Sequence, residues 1–158
     1  MCKEGAMAET PEIYTSPHVL EYPYVRSTGP VIGAFLTALR DGQFVGTRGE
    51  SGRVIVPPTE YDPQTGEETS AFVDVGPGGT VETFAWVGSP RDDAPLDHPF
   101  AWALITLDGA DTALLHVVEA DGPASLSRGM RVTAEFLPAG ERSGRIQDVR
   151  CFIAEEAS

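Results

Sequence analysis

The side chains able to do chemistry are few and scattered. Histidines stand at His18, His98 and His116, far apart in sequence and without cysteine or carboxylate partners at metal-ligand spacing. His116 falls in a β-prone run, where the common role of histidine is a hydrogen-bonded structural one rather than a ligand or general base. Asp108 and Asp111 bracket the short stretch Asp108-Gly109-Ala110-Asp111. A carboxylate pair can do acid–base work, and an enzyme reading would group Asp108, Asp111 and His116 at one strand pair. In a turn, however, aspartates serve by accepting backbone N–H bonds. No GxSxG elbow, phosphate loop, CxxC or HExxH occurs, so catalysis by this chain alone has no visible nucleophile or metal and no catalytic residue is assigned. Arg48 and Arg53 make a small basic patch whose guanidinium groups suit the phosphates of a small molecule. The cysteines, Cys2 and Cys151, form neither a disulfide framework nor a metal knuckle and fit a reducing compartment.

The elements that must position these groups belong to a chain of 158 residues, enough for one ordinary domain or a small domain with an appended module. Its formal charge is −13, from 24 acidic against 11 basic residues. Binding to nucleic acid depends on neutralising phosphates, which such a surface opposes. The sequence shows no basic–apolar leader and no apolar run of membrane-spanning length, so the expected location is the cytoplasm, away from membranes.

The stretch 99–118 organises the chain. Two apolar β-prone runs, 100–107 and 112–118, flank the Gly-containing turn and read as a hairpin. Both faces of the first run are apolar, the pattern of a strand central in its sheet or packed on both sides. Strands at 71–75, 80–87, 130–136 and 145–153, divided by Gly and Pro, complete a mainly β, OB-fold-type barrel over 71–154. Upstream, Pro30 with Val31, Ala34, Phe35, Ala38 and Leu39 at helical spacing predicts a helix over 29–42, and short strands follow at 43–47 and 53–57. Residues 1–28 read as an extended arm carrying Tyr14, Tyr22 and Tyr24. Trp86, Phe100 and Trp102 are the heavy aromatics of the barrel; such rings stack bases in some OB-folds, so a stand-alone single-stranded nucleic-acid-binding module is the alternative reading, with core packing the commoner use.

The order of helix, GQFVGTRGESGRVIVPPTEYDPQTG, and then a barrel containing LDGADTALLHVV and SRGMRVTAEF resembles the acyl-CoA-associated OB-fold proteins of the domain of unknown function 35 (DUF35) family. In that family a rubredoxin-like zinc ribbon precedes the barrel, which assigns residues 29–70 to the helix and a ribbon module. Alignment on Gly52-Arg53 and Pro63 puts Arg48, Ser51, Asp62 and Thr65 where the family has four thiolates. Arginine cannot ligate zinc, so the expectation is a degenerate ribbon without zinc, with Arg48 paired to Asp62 in place of the metal. The resemblance further implies a non-catalytic partner of a thiolase-like or lipid-transfer-protein-like enzyme handling acyl-CoA, including aldolases of sterol side-chain breakdown. Tyr22, Tyr24, Phe35 and Leu39 would then face the partner. Arg48 and Arg53 would touch the CoA phosphates at a site shared with that partner, with no cofactor held tightly by this chain.

Overall fold

The computed structural model describes residues 14–24, 27–69 and 71–155. Helix α1 (Gly29–Arg40) begins where Pro30 supplies a ready-made helical φ and loses no needed donor; it stops at Gly42, whose φ of 78° suits glycine. A three-residue link joins it to β1 (Phe44–Arg48), so its apolar stripe meets the chain's own core first. Phe35 and Leu39 are 4% and 0% exposed within that core, alongside Phe44, Val132 and Phe152. The expectation that these two face a partner is thereby corrected: they are consumed in cis, each stabilising the fold by roughly 1.5–3 kcal/mol.

Strands β1, β2 (Val54–Ile55) and β3 (Ala71–Val75) form an antiparallel sheet in the order β2-β1-β3. Gly46 lies at its centre because a Cβ there would meet the Ile55 carbonyl oxygen at 2.8 Å. The sequence reading placed β3 at the start of the barrel; all five of its residues pair with β1 instead, from Phe44↔Val75 to Arg48↔Ala71.

The remaining strands, β4 (Gly78–Val87), β5 (Phe100–Leu107), β6 (Ala113–Val118), β7 (Arg131–Phe136) and β8 (Val149–Ala154), close a five-stranded barrel in the order β4-β5-β6-β8-β7. The mainly β, OB-type expectation holds. Strand β5 is central, between β4 and β6. Ala101, Ala103, Ile105 and Leu107 fill the interior, none more than 1% exposed. Between β6 and β8 the parallel ladder has one register, Val118↔Phe152, and the strands otherwise part around a short 3₁₀ turn (Ile146–Asp148).

The β5–β6 hairpin also fastens the ribbon sheet to the barrel. Asp111 and Val54 exchange hydrogen bonds: the Asp111 backbone N–H donates to the Val54 carbonyl at 2.8 Å, and the Val54 N–H donates to the Asp111 carboxylate at 2.8 Å. Next to it, the Thr112 hydroxyl accepts from the Val56 N–H at 2.7 Å and donates to the Val56 carbonyl at 2.9 Å. The arm residues 14–24 have no regular structure, and Tyr14, Tyr22 and Tyr24 are highly exposed. Residues 1–13 of the arm, Cys2 among them, lie outside the described residues. No described helix is long and apolar enough to cross a membrane.

Candidate functional site

The four positions that the resemblance aligns with thiolates lie at the end of β1 and in the two turns that follow, and the structure brings two of the four side chains together. Asp62, 1% exposed, accepts from the Ser51 hydroxyl at 2.5 Å, the Ser51 N–H at 3.0 Å and the Gln64 N–H at 2.8 Å. The Ser51 hydroxyl bond leads a set of donors that lowers the Asp62 pKa to about 2. A Cβ on Gly49 would fall inside this carboxylate, so the glycine makes room for it. Arg48 does not take the expected part: its Nη1 donates to the Gly52 carbonyl at 2.8 Å, not to Asp62. Asp62 is drawn to N–H and O–H donors of the opposite turn because these need an acceptor whether or not a cation is near. Thr65 faces its own turn, accepting from the Glu67 N–H at 3.3 Å. This set does not fit zinc: one carboxylate, already saturated by donors, one hydroxyl donating to it, and an arginine.

Arg53 lies on the same ribbon and donates from Nη2 to the Asp111 carbonyl at 2.9 Å. Each guanidinium has further N–H groups, and Arg48 is exposed while Arg53 is half-buried. Asp108 does not cap its turn as expected; it receives both terminal nitrogens of Arg131 at 2.6 Å, which holds its carboxyl below the usual range. Arg131 also reaches Glu155, tying β7, the β5–β6 turn and the end of β8. Asp108 and Asp111 therefore serve separate structural tasks; the second does accept a backbone N–H, but that of Val54 on β2 rather than one of its own turn.

His116, 7% exposed, faces the Ile146 carbonyl at 3.5 Å and puts its ring edge against Phe152; burial lowers its pKa. The ring is held by packing and this one long contact, and its buried Nδ1 has no hydrogen-bond partner among the described residues. A cluster the sequence did not reveal joins the 88–99 loop to the barrel. His98 bridges Asp97 at 2.9 Å and Glu119 at 3.2 Å. Arg150 pairs with Glu119 at 2.8 Å and with Glu135. The Cys151 thiol, fully buried, lies 3.4 Å from Glu119 and 3.5 Å from Glu135. These three donor atoms lie within 4.8 Å of one another. A metal would need a thiolate, yet burial pushes this thiol up to about 12, and Arg150 already supplies the cluster's cation.

A cleft of about 360 Å³ opens where β6 and β8 part. Trp102, Leu115, Leu137, Ile146 and Val149 give it apolar walls, with His116 and Arg150 among its polar liners. The turn carrying Ile146 is set by Asp148, 2% exposed, which gathers the N–H groups of Ser143, Gly144 and Arg145 at 2.6–3.1 Å. Of the aromatics, Phe100 is 1% exposed and T-shaped against Trp102, Trp86 is half-buried, and Trp102 remains 39% exposed at the cleft. The Ser51–Asp62 pair joins two turns and the Cys151 thiol beside Glu119 is held protonated; what the surface offers is apolar side chains and guanidinium groups.

Residues 72–137 match the family model of the ChsH2 C-terminal OB-fold domain. No curated protein matches the chain. Among solved structures, a DUF35-family protein of unknown function from Sulfolobus solfataricus superposes with a TM-score of 0.62 at 17% identity, over 81% of this chain and 85% of that one. The Ltp2-ChsH2(DUF35) aldolase gives a TM-score of 0.58 at 20% identity, over 81% of this chain and 96% of that one. At these identities the structural likeness speaks for the fold. Together with the sequence match over residues 72–137, it supports a DUF35-type OB-fold similar to the C-terminal domain of ChsH2.

Proposed function

We propose that this chain is a non-catalytic accessory subunit of a thiolase-like, lipid-transfer-protein-type enzyme, an aldolase or thiolase acting on acyl-CoA, with sterol side-chain degradation as a candidate setting. The observation that carries the reading is the shared fold with the DUF35 component of an aldolase complex over 81% of this chain, joined to the family match of its barrel. Its chemistry supports the same direction. Asp108, Asp111 and the Nε2 of His116 are taken up in holding the fold, and the buried Cys151 thiol is kept protonated.

On this reading the arm with Tyr22 and Tyr24 lies against the partner, while Phe35 and Leu39 stabilise the platform that presents it. Arg48 and Arg53 of the ribbon are proposed to contact the CoA phosphates at a site shared with the enzyme. The ribbon works without zinc, its turns joined by Asp62 and Ser51. Co-expression with a lipid-transfer-protein-type aldolase followed by gel filtration tests the proposal. A single complex peak is expected, with Arg48→Ala and Arg53→Ala raising the KM for acyl-CoA in that complex. Separate elution at micromolar concentration refutes the reading, and one zinc per purified chain refutes the metal-free ribbon.

A further inference from the structure

A two-stranded segment of a barrel needs one apolar face to build the core, and here it has two. The inward row is complete with Ala101, Ala103, Ile105, Leu107 and, from β6, Leu114 and Val118. On the outer side, the register pairs Leu104 with Leu115 and Trp102 with Val117. Val117 and Phe100 are covered by the 88–99 loop through Leu96, but Trp102, Leu104, Leu115 and Ile146 remain 39%, 38%, 57% and 37% exposed. Their row runs into the cleft between β6 and β8. Large apolar side chains gathered around a concave floor mark interaction sites more than scattered surface residues do.

Charge selects the occupant. Arg150, the one charged residue lining the cleft, is outnumbered by its partners Glu119 and Glu135; the exposed Arg145 beside Ile146 balances these locally, and the whole chain carries −13. A second copy would bring the same net negative charge against this face, and like charges across an interface are unfavourable. A polypeptide with an apolar tip and a basic rim meets both conditions. The cleft volume of about 360 Å³ lies at the small end of the range for ligand pockets, about 300–1,000 Å³, which suits one anchoring side chain.

We propose that the outer β5–β6 face, with the cleft beside the Ile146–Asp148 turn, is the docking surface for a basic-rimmed partner polypeptide whose apolar anchor fills the cleft. This rests on the accessory-subunit reading and adds the surface to it. The test measures the affinity of the full chain for a lipid-transfer-protein-type aldolase by calorimetry, with thermal unfolding to verify folding. Leu115→Lys, on the most exposed member of the row, is expected to weaken binding at least about tenfold while leaving the Tm unchanged. Phe72→Lys, on β3 at 51% exposure against the 57% of Leu115, is expected to leave affinity as it was. Wild-type affinity in Leu115→Lys overturns the docking surface and leaves the accessory role standing. No binding by the unsubstituted chain overturns both. Dimerisation of the free chain that Leu115→Lys abolishes overturns the choice of a different polypeptide in favour of a second copy.

Discussion

Replacing Thr112 by valine keeps its shape and removes one hydroxyl, which makes it a direct probe of the seam between ribbon and barrel. That hydroxyl serves both backbone groups of Val56, at 2.7 and 2.9 Å, and Val56 is 1% exposed. An unsatisfied buried donor or acceptor costs about 1–3 kcal/mol, so two such groups, with some relaxation toward solvent, should cost about 2–4 kcal/mol. For a chain of this size each kcal/mol lowers Tm by about 2–4 °C, giving an expected fall of about 5–15 °C. Thr106→Val is the control: its hydroxyl reaches only the exposed Glu82 carboxylate, at 3.0 Å, and the expected change is within about 0.5 kcal/mol. Urea unfolding supplies the free energies, and amide exchange at Val54 and Val56 locates the damage. If Thr112→Val unfolds like the control and the Val56 amide stays equally protected, the hydroxyl does not hold the two sheets together.

Leu39→Ala should destabilise the chain by about 2–5 kcal/mol, since the side chain is fully buried; weakened partner binding by a still-folded variant would reinstate the helix as an interface. Gly49→Ala should lower Tm by several degrees, because the added methyl displaces the Asp62 carboxylate from its donors; an unchanged Tm would refute that packing. Asp62 has a lowered pKa, so its contribution is present above the ordinary value of 3.8 and is lost as pH falls toward about 2. Acid unfolding should therefore begin at higher pH in Ser51→Ala, which lacks the strongest donor, and coincident acid transitions would count against the arrangement. His98 has a raised pKa, owed first to Asp97 and then to Glu119 against the opposing effect of burial. Its bond to the barrel is complete below 6.5 and weakens as pH rises through the raised value, so protection of the 88–99 loop should decline there. His98→Gln should abolish that dependence; a pH profile shared by both proteins refutes the latch.

For two residues the kind of role was legible and the partner was not. Asp111 accepts a backbone N–H, as turn aspartates do, but from Val54, 57 positions away. His116 is buried in an apolar strand, and its contact is the Ile146 carbonyl, 30 positions away. The Asp108–Arg131 pair and the cluster of His98, Glu119, Arg150 and Cys151 left no such trace. Their members are 20 or more residues apart in most pairs, on elements whose neighbours are set by barrel closure. The doubly apolar pattern of β5 was visible, but whether its outer side is packed or open depends on where the 88–99 loop lies.

By itself the sequence determined the element types, since hydrophobic period, Pro30 and the Gly-containing turns act within a few residues of where they stand. It also determined that the ribbon's donor set cannot make a thiolate zinc site, which follows from residue identity. Tertiary structure alone decided that β3 joins the ribbon sheet, that Phe35 and Leu39 are buried in cis, and that Asp62 meets Ser51 rather than Arg48. Those outcomes turn on which of several compatible partners each group finds, a choice made by the packing of the whole chain and the need of every buried donor for an acceptor.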